Sequence, residues 1–280
     1  MMQKRKKFED LTIIDDFMFG AVMSNPERCK RLLEAILNVK IQKVTYPERQ
    51  KVIDVAYNSK SVRLDVYVED EKDTVYNIEM QTSQKDDFPL RIRYYHDMID
   101  LNIIEKGDDY ALLKRSFVIF FCTFDPFGKG LYRYTFDRQC REDSSLYLND
   151  KATSIILNCS GRTGNASTEL KELLHYMSRE EPKGALATDV AKGVSEVLKN
   201  ENWRRDYMTL AMKFKEERRI ADLTRVVSAI KELKSEMPLD RISKVFHLQT
   251  DELNTIISKI DADPNRPDED IAEEILGYDG

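Results

Sequence analysis

Two neighbouring segments with a period of two constrain the fold of this chain more than any other feature. Apolar and polar residues alternate in Val62–Glu69 and again in Val75–Gln81, and the acidic stretch Asp70–Asp73 between them is typical of a turn. Such alternation indicates β-strands, because successive side chains point to opposite faces of a sheet. We therefore predict a β-hairpin with one apolar face and one polar face.

The two faces set the register of this hairpin, because directly opposed residues of an antiparallel pair point to the same side. The apolar face carries Val62, Leu64, Val66 and Val68 on the first strand and Tyr76, Ile78 and Met80 on the second. The polar face carries Arg63, Asp65 and Tyr67, then Asn77, Glu79 and Gln81. A symmetric hairpin centred on Lys72 places Asp65 opposite Glu79.

Two carboxylates that converge on one side of a hairpin repel each other unless a cation or a proton lies between them. A divalent cation suits such a pair, since Mg²⁺ usually takes one or two carboxylates together with phosphate and water. The alternative is a solvated strand face with incidental acids, because antiparallel sheets often expose a polar face. The spacing of Asp65 and Glu79 alone leaves both interpretations open.

Helical patterns flank the strands. Apolar residues recur at helical spacing over 9–38 and over 88–106. Further strands are predicted at Phe117–Phe124, Leu131–Phe136 and Ser154–Asn158. After Thr168 the strand pattern stops and charged helical patterns continue to about residue 260. The expected fold class is α/β (α+β), a mixed sheet flanked by helices with an all-helical C-terminal extension.

Several short motifs accompany the hairpin in a fixed order. They are Asp16-Phe17-Met18-Phe19 before it, and Arg91-Ile92-Arg93-Tyr94-Tyr95, Gly107-Asp108-Asp109-Tyr110 and Asp125-Pro126-Phe127-Gly128 after it. With Asp65 and Ile78-Glu79-Met80-Gln81, this set resembles the PD-(D/E)XK nuclease superfamily, and within it the recombination-promoting nuclease, or transposase-like, family. That family has Glu-x-Gln in place of Glu-x-Lys, as here. The resemblance covers roughly residues 9–178 and implies a restriction-endonuclease-like core.

The resemblance implies a DNA endonuclease that requires Mg²⁺, Mn²⁺ or another divalent cation. Asp65, Glu79 and the main-chain carbonyl of Met80 would bind the metal, which lowers the pKa of a bound water that attacks the phosphodiester. Gln81 stands where the wider superfamily has a lysine that orients this water. Because a neutral amide can bind a water but cannot act as a base, a second reading stays open. It is a catalytically weak or inactive module that binds DNA or protein partners.

Three candidates lie outside the hairpin. The family pattern suggests that Asp16 reaches the metal, although it could equally cap the helix that follows. Asp15 is as good a candidate by its chemistry, and only the motif favours Asp16. Arg91 and Tyr95 share a helix face, so Arg91 could bind a DNA phosphate with Tyr95 as support. A charged helix surface with tyrosines packed on the sheet fits the same pattern.

We divide the chain into a nuclease-like domain (1–178), a helical region (179–260) and an acidic tail (261–280), which we expect to be partly mobile. Within the helical region, Leu239–Phe246 and a helix capped by Thr250 have the spacing of a helix-turn-helix. The second helix begins Asp251-Glu252 and carries little positive charge. This favours packing or homo-oligomerisation over DNA reading.

The cysteines and the apolar runs indicate where such a chain resides. The four cysteines, Cys29, Cys122, Cys140 and Cys159, form no Cys-x-x-Cys pair, so we expect reduced thiols rather than a zinc site. The longest apolar run, Phe117–Phe124, is shorter than the roughly 20 residues of a membrane helix. The basic N-terminus has no apolar core behind it. We expect a cytoplasmic protein without a membrane segment.

The net charge at first argues against a nucleic-acid substrate. It is −6 for the whole chain. Residues 261–280 hold eight acids and one base, a net charge of −7, which leaves −6 + 7 = +1 for residues 1–260. The body of the protein therefore permits DNA binding of modest affinity that salt weakens.

Overall fold

The computed structural model describes the backbone of residues 6–45, 48–53 and 62–277. The side chains of residues 48–53 and 62–64 are outside this description, so the predicted orientations of Val62, Arg63 and Leu64 are not addressed. The chain divides into two compact units, one up to Arg204 and one from Arg205 onward. The expected fold class, a mixed sheet with helices and a helical C-terminal part, is confirmed.

Six strands of the described residues form one mixed sheet in the first unit. They are β1 (Glu48–Ile53), β2 (Val62–Glu69), β3 (Val75–Gln81), β4 (Ser116–Cys122), β5 (Arg133–Phe136) and β6 (Ala152–Asn158). Their order across the sheet is β1-β2-β3-β4-β6-β5. The central strands β3, β4 and β6 run parallel, and the other neighbours pair antiparallel. The C-terminal ends of the three parallel strands therefore lie at one edge.

The described residues also contain nine α-helices. They are α1 (Asp16–Met23), α2 (Pro26–Leu37), α3 (Phe88–Ile103), α4 (Thr168–Met177), α5 (Gly184–Leu198), α6 (Glu201–Lys234), α7 (Leu239–Phe246), α8 (Thr250–Ala262) and α9 (Asp268–Leu276). The first five belong to the first unit, and α6 begins there and continues through the second. None of these helices combines the length and the apolar character that crossing a membrane requires.

The hairpin of β2 and β3 has the predicted register. Val66 pairs with Ile78, so one further step along the ladder sets Asp65 opposite Glu79. The register follows from the apolar residues, because a slip by one position would turn all of them to the other face.

Asp70 closes the turn of this hairpin. Its buried carboxylate accepts the N–H groups of Lys72 (2.8 Å) and Thr74 (2.9 Å) and the hydroxyl of Tyr76 (2.7 Å). Asp73 adopts a left-handed conformation with φ of 58°, which Asp tolerates better than most residues. These bonds hold the connection between β2 and β3 at one length.

The predicted polar face of the hairpin is buried. On the side of the sheet that carries Glu79, the rings of Phe88 and Tyr95 of α3 lie 5.0 and 5.9 Å from the ring of Phe120 of β4. Glu79 is only 1% exposed, and Asp65, Asn77 and Gln81 are buried as well. The interpretation as a solvated strand face is therefore wrong, because α3, the next helix along the chain, covers it.

Helix α5 belongs to the first compact unit. Arg28 of α2 is 7% exposed and lies 3.2 Å from Asp189 and 3.5 Å from Glu196 of α5. Gly193 allows this approach, since a Cβ at that position would lie 2.7 Å from the guanidinium carbon. Because a buried charge requires partners, this cluster joins α5 to α2 within the compact unit that ends at Arg204. The division of the chain at 178 stays a prediction.

The acidic C-terminal segment contains helix α9, which extends to Leu276. The expectation that part of this segment is mobile stays a prediction. Ile271 and Ala272 of α9 are fully buried in a core that also contains Ile230, Ile242, Leu253 and Ile256. Glu274 forms ion pairs with Lys259 and Arg266. Apolar residues at helical spacing among the acids explain why this segment folds.

Helices α7 and α8 occupy the positions predicted for a helix-turn-helix pair. Helix α8 is capped by Gln249, whose side chain forms a reciprocal capping box with Glu252, and not by Thr250. Ile242 of α7 and Ile256 of α8 are buried, whereas Val245 of α7 is 57% exposed. Both helices contribute to the core of the second unit, and their role in oligomerisation stays a prediction.

Candidate active site

A polar cavity of about 300 Å³ lies at the C-terminal end of β3. Its wall contains six of the seven predicted site residues, namely Asp16, Asp65, Glu79, Met80, Gln81 and Arg91. The seventh, Tyr95, lies behind Arg91 and is buried. Residues that are up to 75 positions apart in the chain, from Asp16 to Arg91, thus meet at one edge of the sheet (91 − 16 = 75).

Asp65 and Glu79 are linked across the hairpin by two hydrogen bonds. The main-chain N–H of Asp65 donates to Oε1 of Glu79 (3.1 Å), and that of Met80 donates to Oδ2 of Asp65 (3.0 Å). Each carboxylate is therefore fixed by the backbone of the opposite strand. This holds the two acids side by side in the geometry that the register predicts.

Glu79 sits in an environment that opposes its negative charge. Burial and the nearby Asp65 raise the pKa of Glu79 well above its ordinary value. Arg91, the N–H of Asp65 and the side chain of Asn77 act in the opposite direction and do not compensate. A cation placed beside Glu79 would relieve this penalty, which is the usual situation of a buried acid in a functional site.

Arg91 connects most of the predicted site residues through its guanidinium group. It donates from Nη2 to Oε2 of Glu79 (3.2 Å), from Nη1 to Oε1 of Gln81 (2.6 Å) and from Nε to the hydroxyl of Tyr95 (2.9 Å). The guanidinium also lies over the rings of Tyr95 and Phe120. Sequence reasoning predicted a phosphate contact for Arg91 and missed its pairing with Glu79.

Tyr95 supports Arg91, as one of the sequence interpretations proposed. It is 7% exposed, so it offers no surface for a DNA contact of its own. Arg91, with 32% of its side chain exposed, is the member of the pair that faces the cavity.

Gln81 is held at both ends of its amide. Its carbonyl accepts from Arg91, and its NH₂ group donates to the carbonyl of Ser83. A primary amide has two N–H donors and two acceptor positions. One donor and one acceptor position therefore remain for a water molecule.

Asp15 and Asp16, which the sequence could not separate by chemistry, occupy different environments. Asp15 precedes α1, and its carboxylate accepts from the N–H of Thr12 (2.8 Å) and pairs with Lys6 (2.7 Å). Asp16 is exposed overall but lines the cavity. Loss of solvent around its carboxyl group and the nearby Asp15 raise the pKa of Asp16, while Arg91 acts weakly in the opposite direction.

Lys85 lines the cavity and was missed by the sequence analysis. It is exposed in the loop between β3 and α3, and no ion pair or hydrogen bond engages its ammonium group within the described residues. The signal was available, since Lys85 is the single cation between Gln81 and Phe88. A cation in a loop directly after a strand with acidic residues is well placed to bind an anion.

The cavity provides the oxygen donors that a hard divalent cation prefers. Three carboxylates, those of Asp16, Asp65 and Glu79, line it. In the parts of the chain that the structure describes, no three acid, thiol or imidazole groups converge closely enough to hold a metal by themselves. Mg²⁺ requires only one or two carboxylates, with water and phosphate completing its shell. The carboxylates of Asp65 and Glu79 and the carbonyl of Met80 are thus suited to hold it.

Comparison with known proteins agrees with this arrangement. Residues 14–182 match the model of a family described as PD-(D/E)XK nuclease family transposase. The match includes every residue of the cavity wall. No curated protein and no solved structure matches the chain. Because the family model covers more than half of the 280 residues, the chain belongs to the PD-(D/E)XK nuclease family transposases.

Proposed function

We propose that this protein is a DNA endonuclease that hydrolyses phosphodiesters with Mg²⁺. The observation that carries the proposal is the convergence of Asp65, Glu79, Gln81 and Arg91 on one polar cavity. Family membership supports a nuclease. Among the described residues that line the cavity, acids outnumber cations, and the pKa values of Glu79 and Asp16 are raised. Both features support a cation as part of the working site.

The acids and the amide have separate roles in this proposal. A bound Mg²⁺ would supply a water of lowered pKa and positive charge for the scissile phosphate. Asp65 and Glu79 hold the cation, and Asp16 adds negative charge at the cavity wall. Gln81 orients the attacking water through its remaining N–H or acceptor position. Because a neutral amide takes up no proton, the proton of that water leaves to solvent or to the substrate phosphate.

The cations of the cavity act on the substrate. Lys85 is exposed and reaches the cavity wall, so it binds a DNA phosphate next to the scissile one. Arg91 already orients Glu79 and Gln81. In this proposal its exposed edge also contributes positive charge where charge accumulates on the phosphate.

Cleavage of supercoiled plasmid DNA by purified protein tests the proposal. Nicking is expected with Mg²⁺ and absent with EDTA. Asp65→Asn is expected to slow it at least about 100-fold, because even supporting groups of metal sites are worth about 10–100-fold. Asp73→Asn is the matched control, since Asp73 is exposed in the turn of the same hairpin with a φ that Asn also adopts. Equal rates in Asp65→Asn and wild-type protein would refute the proposal.

A second function is supported by the hydrogen bonds that the site residues already form within the protein. Both oxygens of Glu79 are bonded within the protein, and the neutral Gln81 can bind a water but cannot act as a base. These features favour a module of the same fold that binds DNA without cutting it. Retention of DNA in EDTA, together with no nicking in Mg²⁺ or Mn²⁺, would establish this alternative in place of the endonuclease.

A further inference from the structure

Asn77 of β3 is an unusual residue for the interior of a sheet. It is completely buried, yet neither its Oδ1 nor its Nδ2 makes a hydrogen bond to any described residue. Buried polar side chains almost always have partners, because an unpaired amide loses its hydrogen bonds to water without replacement. An apolar residue of similar size would fill this position at a lower cost in free energy.

The apolar surroundings of Asn77 raise the free-energy cost of burying its amide. Its pairing partner across the hairpin is Tyr67 and its neighbour on β4 is Val118. Both belong to the apolar cluster beneath α3. Packing therefore gives no reason for an amide at this position, and the fold alone would favour Val or Leu.

The neighbouring Glu79 gives a reason for an amide at position 77. It follows Asn77 by two positions on the same strand, so both side chains point to the same face of the sheet. Asn77 and Glu79 are therefore adjacent on this face, and both are buried. Arg91 and the N–H of Asp65 hold the two oxygens of this carboxylate, and Asn77 is a nearby donor that is not committed.

We propose that Asn77 is a positioning residue that holds the Glu79 carboxylate when a divalent cation binds. The inference rests on the proposed function and deepens it. As Glu79 turns from Arg91 toward the cation, the Nδ2 of Asn77 donates to the carboxylate oxygen that Arg91 releases. The amide is unpaired without the cation and paired with it. Supporting donors of this kind orient metal ligands and typically change metal affinity about 10–100-fold.

Asn158 of β6 provides a matched control within the same sheet. It is also a fully buried asparagine, but its Nδ2 donates to the carbonyl of Leu131 (3.1 Å) and its Oδ1 accepts from the N–H of Ser160 (2.8 Å). Asn158 is thus an amide with a purely structural role. The same substitution at the two positions separates a positioning residue from a structural one.

The experiment compares Asn77→Leu, Asn158→Leu and wild-type full-length protein in two measurements. Urea unfolding in EDTA measures stability, and calorimetric titration with Mn²⁺ alone, without DNA, measures metal affinity. Asn77→Leu is expected to keep or raise the urea midpoint and to lower Mn²⁺ affinity about 10–100-fold. Asn158→Leu is expected to lower the midpoint and keep the affinity. Asn77→Ser, which retains a donor, is expected to recover part of the affinity and guards against a misfolded Leu variant.

The outcomes distinguish this inference from the proposed function. If the wild-type protein binds no Mn²⁺, the proposed function and the inference both fail. If it binds Mn²⁺ and Asn77→Leu binds it equally well, only the role of Asn77 is refuted. A urea midpoint that falls in Asn77→Leu as far as in Asn158→Leu, with unchanged Mn²⁺ affinity, would identify Asn77 as a structural residue.

Discussion

Two arginines of the first unit occupy similar positions and serve different purposes. Arg28 lies between α2 and α5, where it and Arg31 face Asp189 and Glu196. Three cations there meet three acids, because Arg31 also pairs with Glu169 and Glu196 also pairs with Lys192. Arg91 lies in the cavity wall, where it and Lys85 face three acids, Asp16, Asp65 and Glu79. Counted over the described residues, the first cluster is balanced in charge, and the second holds one more acid than cations.

This difference separates an ionic cluster that holds two helices together from one prepared for a ligand. In the Arg28 cluster the charges satisfy each other, so nothing further is required. Around Arg91, burial and like charges raise the pKa values of Glu79 and Asp16. Protein sites that keep such uncompensated acids are commonly those where a ligand or metal completes the balance.

The largest expected effect is on the rate of DNA cleavage, which should fall when the cavity loses an acid and stay nearly constant when the Arg28 cluster loses one. Glu79→Gln is expected to slow plasmid cleavage at least about 100-fold, because the acid that holds the cation is lost. Asp189→Asn removes an acid from the balanced cluster and is expected to change the rate less than about twofold, since Asp189 pairs with Arg28 and Arg31 and does not line the cavity. Steady-state nicking assays in Mg²⁺ measure both. Comparable losses in the two variants would show that the clusters do not differ in function.

The variants Glu79→Gln and Asp189→Asn are expected to change the free energy of unfolding in opposite directions. Asp189→Asn leaves the buried Arg28 short of a partner and should cost about 1–3 kcal/mol at neutral pH. Glu79→Gln should stabilise the metal-free protein, because burial and Asp65 raise the pKa of Glu79 and the folded state therefore penalises its ionised form. That gain is greatest above the raised pKa and vanishes as the pH falls to about 4.5, the ordinary value.

Urea unfolding in EDTA at several pH values checks this prediction. A raised carboxyl pKa means that the folded protein binds a proton which the unfolded chain has released, so wild-type stability improves on acidification through that range. Glu79→Gln lacks this improvement. Destabilisation by Glu79→Gln at neutral pH would mean that Arg91 balances Glu79 as completely as Asp189 balances Arg28.

Substitution of the guanidinium itself tests how Arg91 works. Arg91→Lys keeps the charge but cannot donate to Glu79, Gln81 and Tyr95 at once, since an ammonium lacks the planar fork. Cleavage is expected to fall about tenfold. Arg93→Lys, two positions along the same helix and exposed, is expected to leave the rate unchanged. Full activity in Arg91→Lys would indicate that only charge matters at this position.

The smallest expected effect concerns Lys85. If it binds one phosphate, Lys85→Ala should weaken DNA binding and reduce the slope of log K against log salt by about 1. Lys106→Ala removes an exposed lysine from the turn after α3 and should leave the slope unchanged. Fluorescence anisotropy with a labelled DNA duplex in Ca²⁺, over a series of salt concentrations, gives both values. Equal slopes in all three proteins would exclude Lys85 from the DNA contact.

The parts of the site that follow local rules were predictable from sequence. The alternation in β2 and β3 predicted the register, and with it the meeting of Asp65 and Glu79. The order of the motifs predicted the family and most of the cavity wall. Spacing by four on a helix predicted that Arg91 and Tyr95 meet, and their hydrogen bond confirms it.

The parts of the site that depend on how separate helices and strands pack together were not predictable. Whether the polar face of the hairpin is wet or buried depends on α3, which no local pattern of β3 reveals. Arg91 binds Glu79 because helix and strand meet in space, and a sequence shows only that both carry charge. The many acids of α9 suggested a tail. Ile271 and Ala272 are instead buried in a core to which α7 and α8 contribute apolar residues.

The turn closed by Asp70 determines how well this region tolerates the insertion or deletion of a residue. Most loops of a protein absorb the gain or loss of a codon, because surface chain can lengthen without disturbing what it connects. Here three donors hold one carboxylate and set the length of the connection, and a slip of one residue would turn β2 over. A single-codon deletion in this turn would thus leave every residue of the site encoded in the gene, with Asp65 turned away from the cavity.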